Sequence, residues 1–185
     1  MQLTYRKAAL VAGMLVLSSS VLAASTPLTA DALPGSWAPA GWTVAPLKVA
    51  PTQDEVEGVA VMTKDGHQLA RLTALVARSP STRSLADKLD ELVGSESRGA
   101  ASRGLTTTAS GAVADSWHGL PALRNDMVFS RPGGTIHQRA VIVQTPEDTT
   151  CALVYVASGA TFDAYYAEFE HAKDRFVCPG QGSSR

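Results

Sequence analysis

The sequence of 185 residues is 45% hydrophobic, and its 16 Lys and Arg against 17 Asp and Glu give a net charge of −1 at pH 7. Such a balance, without a basic stripe, argues against a nucleic-acid-binding protein. After the first 23 residues no apolar run is long enough to span a bilayer, so stable membrane insertion is not expected.

The first 23 residues have the features of a secretory signal peptide. Basic residues at 6–7 precede an apolar run at 8–17, and small residues follow at the spacing that signal peptidase recognises. The apolar run spans about ten residues, whereas a membrane-spanning helix needs roughly 20, so a membrane anchor is disfavoured. We predict cleavage after Ala23 or Ala24, export to the periplasm as a soluble protein, and no lipid anchor, because no cysteine lies near the cleavage point.

The mature chain is expected to hold one folded domain at 42–178, between a Pro/Ala-rich lead-in at 24–41 and a disordered tail at 179–185. The stretch "GWTV" predicts the first strand. Two β-rich runs, Val56–Met62 and Gln68–Arg78, flank "KDG", which is a tight-turn sequence. These runs therefore predict an antiparallel hairpin.

A change to helical period follows the hairpin. Four apolar residues recur at helical spacing, namely Leu85, Leu89, Leu92 and Val93. Ser81 or Thr82 is expected to cap the first turn, and Gly94 to end the helix. The next stretch, "ESRGAASRG", is polar and rich in small residues, so we expect a mobile loop.

The second half of the chain predicts further strands and one terminal helix. "LTTTASGAVADSWHGLPALRNDMVFS" and "TIHQRAVIVQT" make two or three strands, the last two joined by a "RPGG" turn. After a "PEDT" turn, "CALVYVAS" reads as a strand buried on both faces. An apolar stripe then marks a helix over 162–177, formed by Phe162, Tyr165, Phe169, Ala172 and Phe176.

The two cysteines stand at the ends of this last strand–helix unit. A strand from Cys151 to Ser158 and a helix from Phe162 to Val177 cover similar distances, about 23 Å each. If the connection reverses the chain, Cys178 returns to the level of Cys151 and the pair comes within disulfide range. In an exported protein this placement favours a disulfide over a metal site or a catalytic thiol.

The sequence carries no GxSxG elbow, no HExxH motif and no Gly-rich phosphate loop. Its histidines, at 67, 118, 137 and 171, fall in different elements without a repeat at ligand spacing. Asp115 with His118, or His171 with Asp174, could hold a metal only weakly, because a bound zinc normally has three or four ligands. We therefore predict no catalytic residues, no metal and no cofactor.

The few aromatic residues supply the candidate binding positions. Trp117, in "DSWHGLPAL", is either a lid on the core or a contact residue for a partner. Tyr165 and Tyr166 are consecutive on the last helix, so one of them is expected to show its hydroxyl to water. The candidate binding residues are Trp117, His118 and Tyr166.

Several stretches together resemble the PsbP-like family, whose superfamily includes the Ran-binding Mog protein and DcrB-type bacterial periplasmic proteins. They are an early "GW", "GLPALRNDMVF", "RAVIV", "CALVYVAS" and the terminal helix from "ATFDAYYAEF", and the resemblance covers about Trp42 to Val177. It implies an α+β domain with a mostly antiparallel central sheet flanked by two principal helices. It also implies a binding role, since members serve as photosystem accessory subunits, adaptors and envelope proteins, and some relatives as chaperones or immunity proteins. No metal or subunit-contact residues of the photosystem branch can be matched here, so that function is not carried over.

Export, a disulfide-tied frame and the missing catalytic motifs favour a non-catalytic protein that docks another envelope or secreted macromolecule. An inhibitor or immunity role is one form of this function. Two alternatives stay open: a periplasmic carrier of a small apolar ligand or a metal, and a hydrolase with an unrecognised site. A hydrolase would need a histidine within hydrogen-bond reach of a nucleophile in a polar triad.

Overall fold

The computed structural model describes residues 37–46, 55–64, 70–78 and 83–181. The expected signal peptide, most of the lead-in, the "KDG" turn and His67 lie outside these residues. Within them, neither helix has the length and apolar character needed to cross a membrane.

One antiparallel sheet organises the chain. Its strands are β1 (Trp42–Pro46), β2 (Glu55–Lys64), β3 (Ala70–Arg78), β4 (Thr106–Ala109), β5 (Val113–Trp117), β6 (Leu120–Arg131), β7 (Gly134–Gln144) and β8 (Thr149–Ser158). They lie in the order β1-β2-β3-β8-β7-β6, and β4 and β5 both pair with the outer side of β6. The predicted α+β class, with a mostly antiparallel sheet and two helices, is confirmed.

The predicted hairpins are present. β2 and β3 pair antiparallel, with a register shift between Val56 and Val59. β6 and β7 meet at Arg131 and Gly134, so Pro132 and Gly133 form the turn, and Gly133 has the positive φ of 94° that glycine accommodates without strain. As expected, the last strand is covered on both sides: every residue of β8 except Ser158 is buried, because β8 lies in the middle of the sheet.

β4 and β5 together form one interrupted edge strand. β4 pairs with residues 127–130 of β6 and β5 with residues 120–124. Between them, Ser110, Gly111 and Ala112 face only two residues of β6, so the edge strand bulges outward there. The turn from β5 to β6 is His118–Gly119, and both residues have positive φ, as in the tight turns favoured by hairpins.

The first helix, α1 (Leu85–Ala101), is longer than predicted. The expected stop at Gly94 and the expected mobile loop "ESRGAASRG" are both wrong, because residues 95–101 continue the helix and bury Glu96 and Ala100 against the sheet. Gly104, with a φ of 73°, follows the true end, where the Leu105 amide donates to the Ala100 carbonyl.

The helix also begins differently from the prediction. Ser84 is the N-cap: its hydroxyl accepts from the Asp87 amide, while the Asp87 carboxylate accepts from the Ser84 amide. The expected caps, Ser81 and Thr82, lie outside the described residues.

The second helix, α2 (Tyr166–Arg175), is shorter than the predicted 162–177, because a 3₁₀ turn at Asp163–Tyr165 precedes it. The predicted disulfide is confirmed: Cys151 and Cys178 are bonded, with their Cα atoms 5.9 Å apart. The chain stays attached beyond the cysteine, since the Cys178 amide donates to the side chain of Gln181.

The two helices cover opposite faces of the sheet. α1 packs through residues such as Leu89 and Ala100 on one face. On the other face, a larger core gathers around α2 and the disulfide, and it includes Trp37, Trp117 and Phe176. On this second face, side chains of β6 and β7 stay partly exposed beside α2, namely Arg124 (32%), Asp126 (34%) and Arg139 (19%), and we call this part of the sheet its open part.

Candidate binding surface beside the second helix

A set of polar side chains lines the boundary between α2 and the open part of the sheet. We call it the polar belt, and it consists of Asp115, Arg124, Asp126, Arg139, Tyr166, Glu170 and Lys173. Three of these residues stand at positions i, i+4 and i+7 of α2, which places them on one side of the helix. The other four come from β5, β6 and β7, where strand pairing brings them alongside each other.

The sheet half of the belt centres on one carboxylate. Asp126 and Arg139 are direct cross-strand partners. Arg139 Nε lies 2.5 Å from Asp126 Oδ1, and Arg139 Nη2 donates to Asp126 Oδ2 at 3.0 Å, which makes the pair bidentate. Arg124 Nε lies 3.5 Å from Asp126 Oδ2. Two arginines therefore share this single carboxylate.

An aromatic ring joins the sheet half of the belt to the helix half. The Arg139 guanidinium lies over the ring of Tyr166, 4.8 Å from its centroid, in cation–π geometry. The Tyr166 hydroxyl donates to the Glu170 carboxylate. Burial, together with this bond, raises the pKa of Tyr166. Burial disfavours the charge on Arg139, yet the bonds to Asp126 outweigh it and raise the pKa of Arg139. Both groups therefore keep their protonated forms at neutral pH.

The helix half of the belt has the opposite charge balance. Lys173 Nζ lies 3.5 Å from Asp115 Oδ1 and 3.5 Å from Glu170 Oε2. One lysine thus shares two carboxylates here, whereas two arginines share one carboxylate on the sheet. The belt therefore carries a net positive charge beside β6 and β7 and a net negative charge beside α2 and β5. A partner surface with the opposite distribution of charge could recognise it in one orientation.

The three predicted binding residues have different environments. The Trp117 side chain is 1% exposed, and its indole donates to the Lys173 carbonyl at 2.8 Å and contacts the Phe176 carbonyl at 3.2 Å. The core alternative for Trp117 is therefore the one observed, and a direct contact role does not fit its burial. His118 is exposed in the β5–β6 turn, with Nε2 3.2 Å from the Phe176 carbonyl oxygen. Tyr166 belongs to the belt.

His137 contacts a hydroxyl and an aromatic ring within residues 83–181. His137 Nε2 lies 3.2 Å from Thr135 Oγ1, and its ring packs on Phe162, but no carboxylate hydrogen-bonds to His137 there. The described part of the chain also holds no cluster of three or more His, Cys, Asp and Glu side chains arranged around a metal position.

Sequence reasoning missed most of the belt and one core residue. Trp37 lies in the stretch predicted as the Pro/Ala-rich lead-in, yet it is 1% exposed and packs edge-on against Phe176, with ring centroids 5.2 Å apart. The pairing of Asp126 with Arg139 could have been predicted from the sequence. Once the "RPGG" turn fixes Arg131 opposite Gly134, counting back along both strands places Asp126 opposite Arg139.

Comparison with solved structures supports the fold. The solution structure of cyanobacterial PsbP (CyanoP) from Synechocystis sp. PCC 6803 matches with a TM-score of 0.56 and 16% identity, over 76% of this chain and 83% of that chain. The predicted PsbP-like resemblance is therefore confirmed at the level of the fold. No family model matches the sequence, and no curated protein is significantly similar to it.

Two weaker likenesses involve envelope and secretion-system proteins. LpqN, involved in cell envelope biogenesis of Mycobacterium tuberculosis, gives a TM-score of 0.46 at 15% identity, covering 77% of this chain and 79% of that one. TplEi, an immunity protein of the T6SS from Pseudomonas aeruginosa, gives 0.44 at 16% identity, covering 71% of this chain and 48% of that one. The sheet topology and the likeness to CyanoP define this chain as a single α+β domain with the PsbP-like fold.

Proposed function

We propose that this chain is an exported, non-catalytic binding protein that docks another macromolecule of the cell envelope, and that it docks through the polar belt. The observation that carries the proposal is the belt's construction. It joins side chains from three strands and one helix into a continuous network that stays partly open to solvent beside α2.

The belt is held in place before any partner arrives. On the sheet, Asp126 and Arg139 are fixed by strand pairing and by their bidentate contact. On the helix, the disulfide and the indole of Trp117 hold the C-terminal end of α2 against the sheet. Preorganised side chains lose little conformational entropy on binding, so more of the contact energy contributes to affinity.

The proposal is tested by affinity capture from envelope extract with the oxidised mature chain as bait. Glu170→Lys reverses a charge inside the belt at a side chain that is 37% exposed. Glu91→Lys is the matched control, because it makes the same charge change on an exposed position of α1, across the sheet. Circular dichroism and melting curves establish that both variants fold.

We expect Glu170→Lys to weaken capture of a specific partner by about thirtyfold, the loss that an interface hot spot of roughly 2 kcal/mol produces. Glu91→Lys should leave capture unchanged. Equal capture by both variants would refute docking through the belt. If no macromolecule is retained and native mass spectrometry shows a bound apolar ligand or metal, the carrier alternative replaces this proposal. A captured secreted toxin would identify the immunity form of the function.

A further inference from the structure

The two arginines of the belt differ in how fully their donors are used. Arg139 directs two nitrogens at the two oxygens of Asp126 and also lies on the Tyr166 ring. Arg124 has no such set of contacts. Its Nε is buried and has no hydrogen-bond partner among the described residues, and its one charged contact is the 3.5 Å approach to Asp126.

Asp126 makes its two-pronged contact with Arg139. Each of its oxygens accepts a hydrogen bond from Arg139, and Arg124 approaches only one of them, at 3.5 Å from Nε to Oδ2. A guanidinium presents a planar fork of N–H donors that matches the geometry of a carboxylate. Arg124 therefore carries its charge beside Asp126 without a two-pronged carboxylate partner among the described residues.

The position of Arg124 leaves it accessible. The side chain is 32% exposed, and in the sheet it lies between Val141, which is buried, and Val113, which is 36% exposed on the edge strand. Because Nε is buried while the side chain as a whole is 32% exposed, the solvent-facing atoms of Arg124 are other than Nε. A group arriving from solvent could reach this exposed part of the side chain.

We propose that Arg124 is the anion-receiving position of the belt and binds a carboxylate from an acidic side chain of the docked protein. This inference rests on the proposed function, since it assigns the partner a chemistry at the same surface. The positive end of the belt then receives the partner's acidic group, and the Glu170 end faces a neutral or basic part of the partner. Charge complementarity of this kind sets the orientation of docking.

The first experiment needs no partner. A capped tetraglutamate peptide is titrated into ¹⁵N-labelled, oxidised mature protein, and the arginine Nε–Hε resonances are followed by NMR. The Arg124 signal, identified by its loss in Arg124→Lys, should shift and saturate. Arg131, an exposed arginine next to the β6–β7 turn, is the internal control for general attraction to the peptide.

Saturation at Arg124 with little change at Arg131 would support the proposal. Arg124→Lys keeps the charge but loses the fork, so apparent affinity for the peptide should fall by about tenfold, as expected when a bidentate contact becomes a point charge. Equal, unsaturated shifts at both arginines, or no shift at Arg124, would overturn it. A capped tetralysine peptide should leave the Arg124 signal unchanged.

The second experiment separates this inference from the proposed function. With a captured partner, Arg124→Lys and Glu170→Lys should both weaken binding. If only Glu170→Lys does so, the belt docks the partner but Arg124 does not receive its acidic group. If the peptide saturates at Arg124 while neither variant changes partner binding, Arg124 binds carboxylates, but docking through the belt fails and Arg124 does not receive an acidic group of the partner.

Discussion

Glu96 is the buried ionisable group whose effect on stability can be worked out most directly. It lies on α1 facing the sheet, is 9% exposed, and burial raises its pKa from 4.5 to about 7. Arg103 and Arg71 attract the ionised carboxylate and lower the pKa, but the cost of burying the charge outweighs both. The folded protein therefore binds a proton at this site more tightly than the unfolded chain does.

The sign of the pH dependence follows from that difference. Between about pH 4.5 and about pH 7 the folded state holds a proton that the unfolded chain has released, so the free energy of unfolding falls as pH rises. One pKa unit corresponds to about 1.4 kcal/mol, so the full loss from Glu96 is about 3 kcal/mol and is complete above about pH 7. Glu96→Gln removes the titration while keeping a similar shape.

We expect Glu96→Gln to have nearly wild-type stability at about pH 4 and to be more stable than wild type by up to about 3 kcal/mol at about pH 8. Urea denaturation of the oxidised protein, followed by circular dichroism at both pH values, measures the difference. Other carboxylates titrate equally in both proteins and cancel in the comparison.

The control is Glu91→Gln on the exposed side of the same helix, where the carboxylate pairs with Arg83 at 2.7 Å. An exposed ion pair contributes about 0–1 kcal/mol, so this variant should keep the wild-type pH dependence. If Glu96→Gln also kept that dependence, or were less stable than wild type at about pH 8, the reasoning from burial would be refuted.

Two further predictions concern the frame that holds α2. Removing the disulfide, by reduction or by Cys178→Ala, should lower the free energy of unfolding by about 3.5 kcal/mol, which is the chain-entropy value for cysteines 27 residues apart. Denaturant titrations with and without reductant measure this loss. Unchanged stability would show that packing alone holds the helix. Trp117→Ala should lower stability by about 3 to 5 kcal/mol through the cavity it leaves, as measured by thermal unfolding, and an unchanged melting temperature would contradict the core placement.

The sequence was most informative where one physical constraint acts locally. The "RPGG" turn fixed the register of β6 and β7, and the period-two runs identified the β2–β3 hairpin. The disulfide followed from comparing the rise of a strand with the rise of a helix, a calculation that needs no knowledge of the rest of the fold.

Prediction failed where tertiary contacts overrode local preference. Glycine inside a helix costs about 1 kcal/mol relative to alanine, which is why Gly94 was expected to end α1. The burial of Ala100 against Met127 and Phe129 offsets that cost, but those strand residues come after the helix in the chain. Trp37 was missed for the same reason, since its partner Phe176 is at the other end of the domain.

The belt could be predicted only in pieces. The helix stripe of Tyr166, Glu170 and Lys173 and the cross-strand pair of Asp126 and Arg139 are each visible from spacing. Their meeting depends on the angle at which α2 crosses the sheet, which the sequence pattern does not specify. The sequence therefore indicated Tyr166 as a candidate without indicating the charges around it.

The bulge between β4 and β5 bears on how the protein behaves at high concentration. The edge strands β4 and β5 carry one charged residue, Asp115, and no proline, although charge and proline are common means of preventing sheet edges from pairing with other chains. The interruption at Ser110–Ala112 opposes such pairing in another way, because it divides the edge into strands of four and five residues. The extra residue of the bulge shifts the register of the unpaired backbone groups of β5 relative to those of β4. A neighbouring chain could therefore pair with only a short segment of this edge. The bulge thus opposes aggregation at the edge of the sheet that lies next to the polar belt.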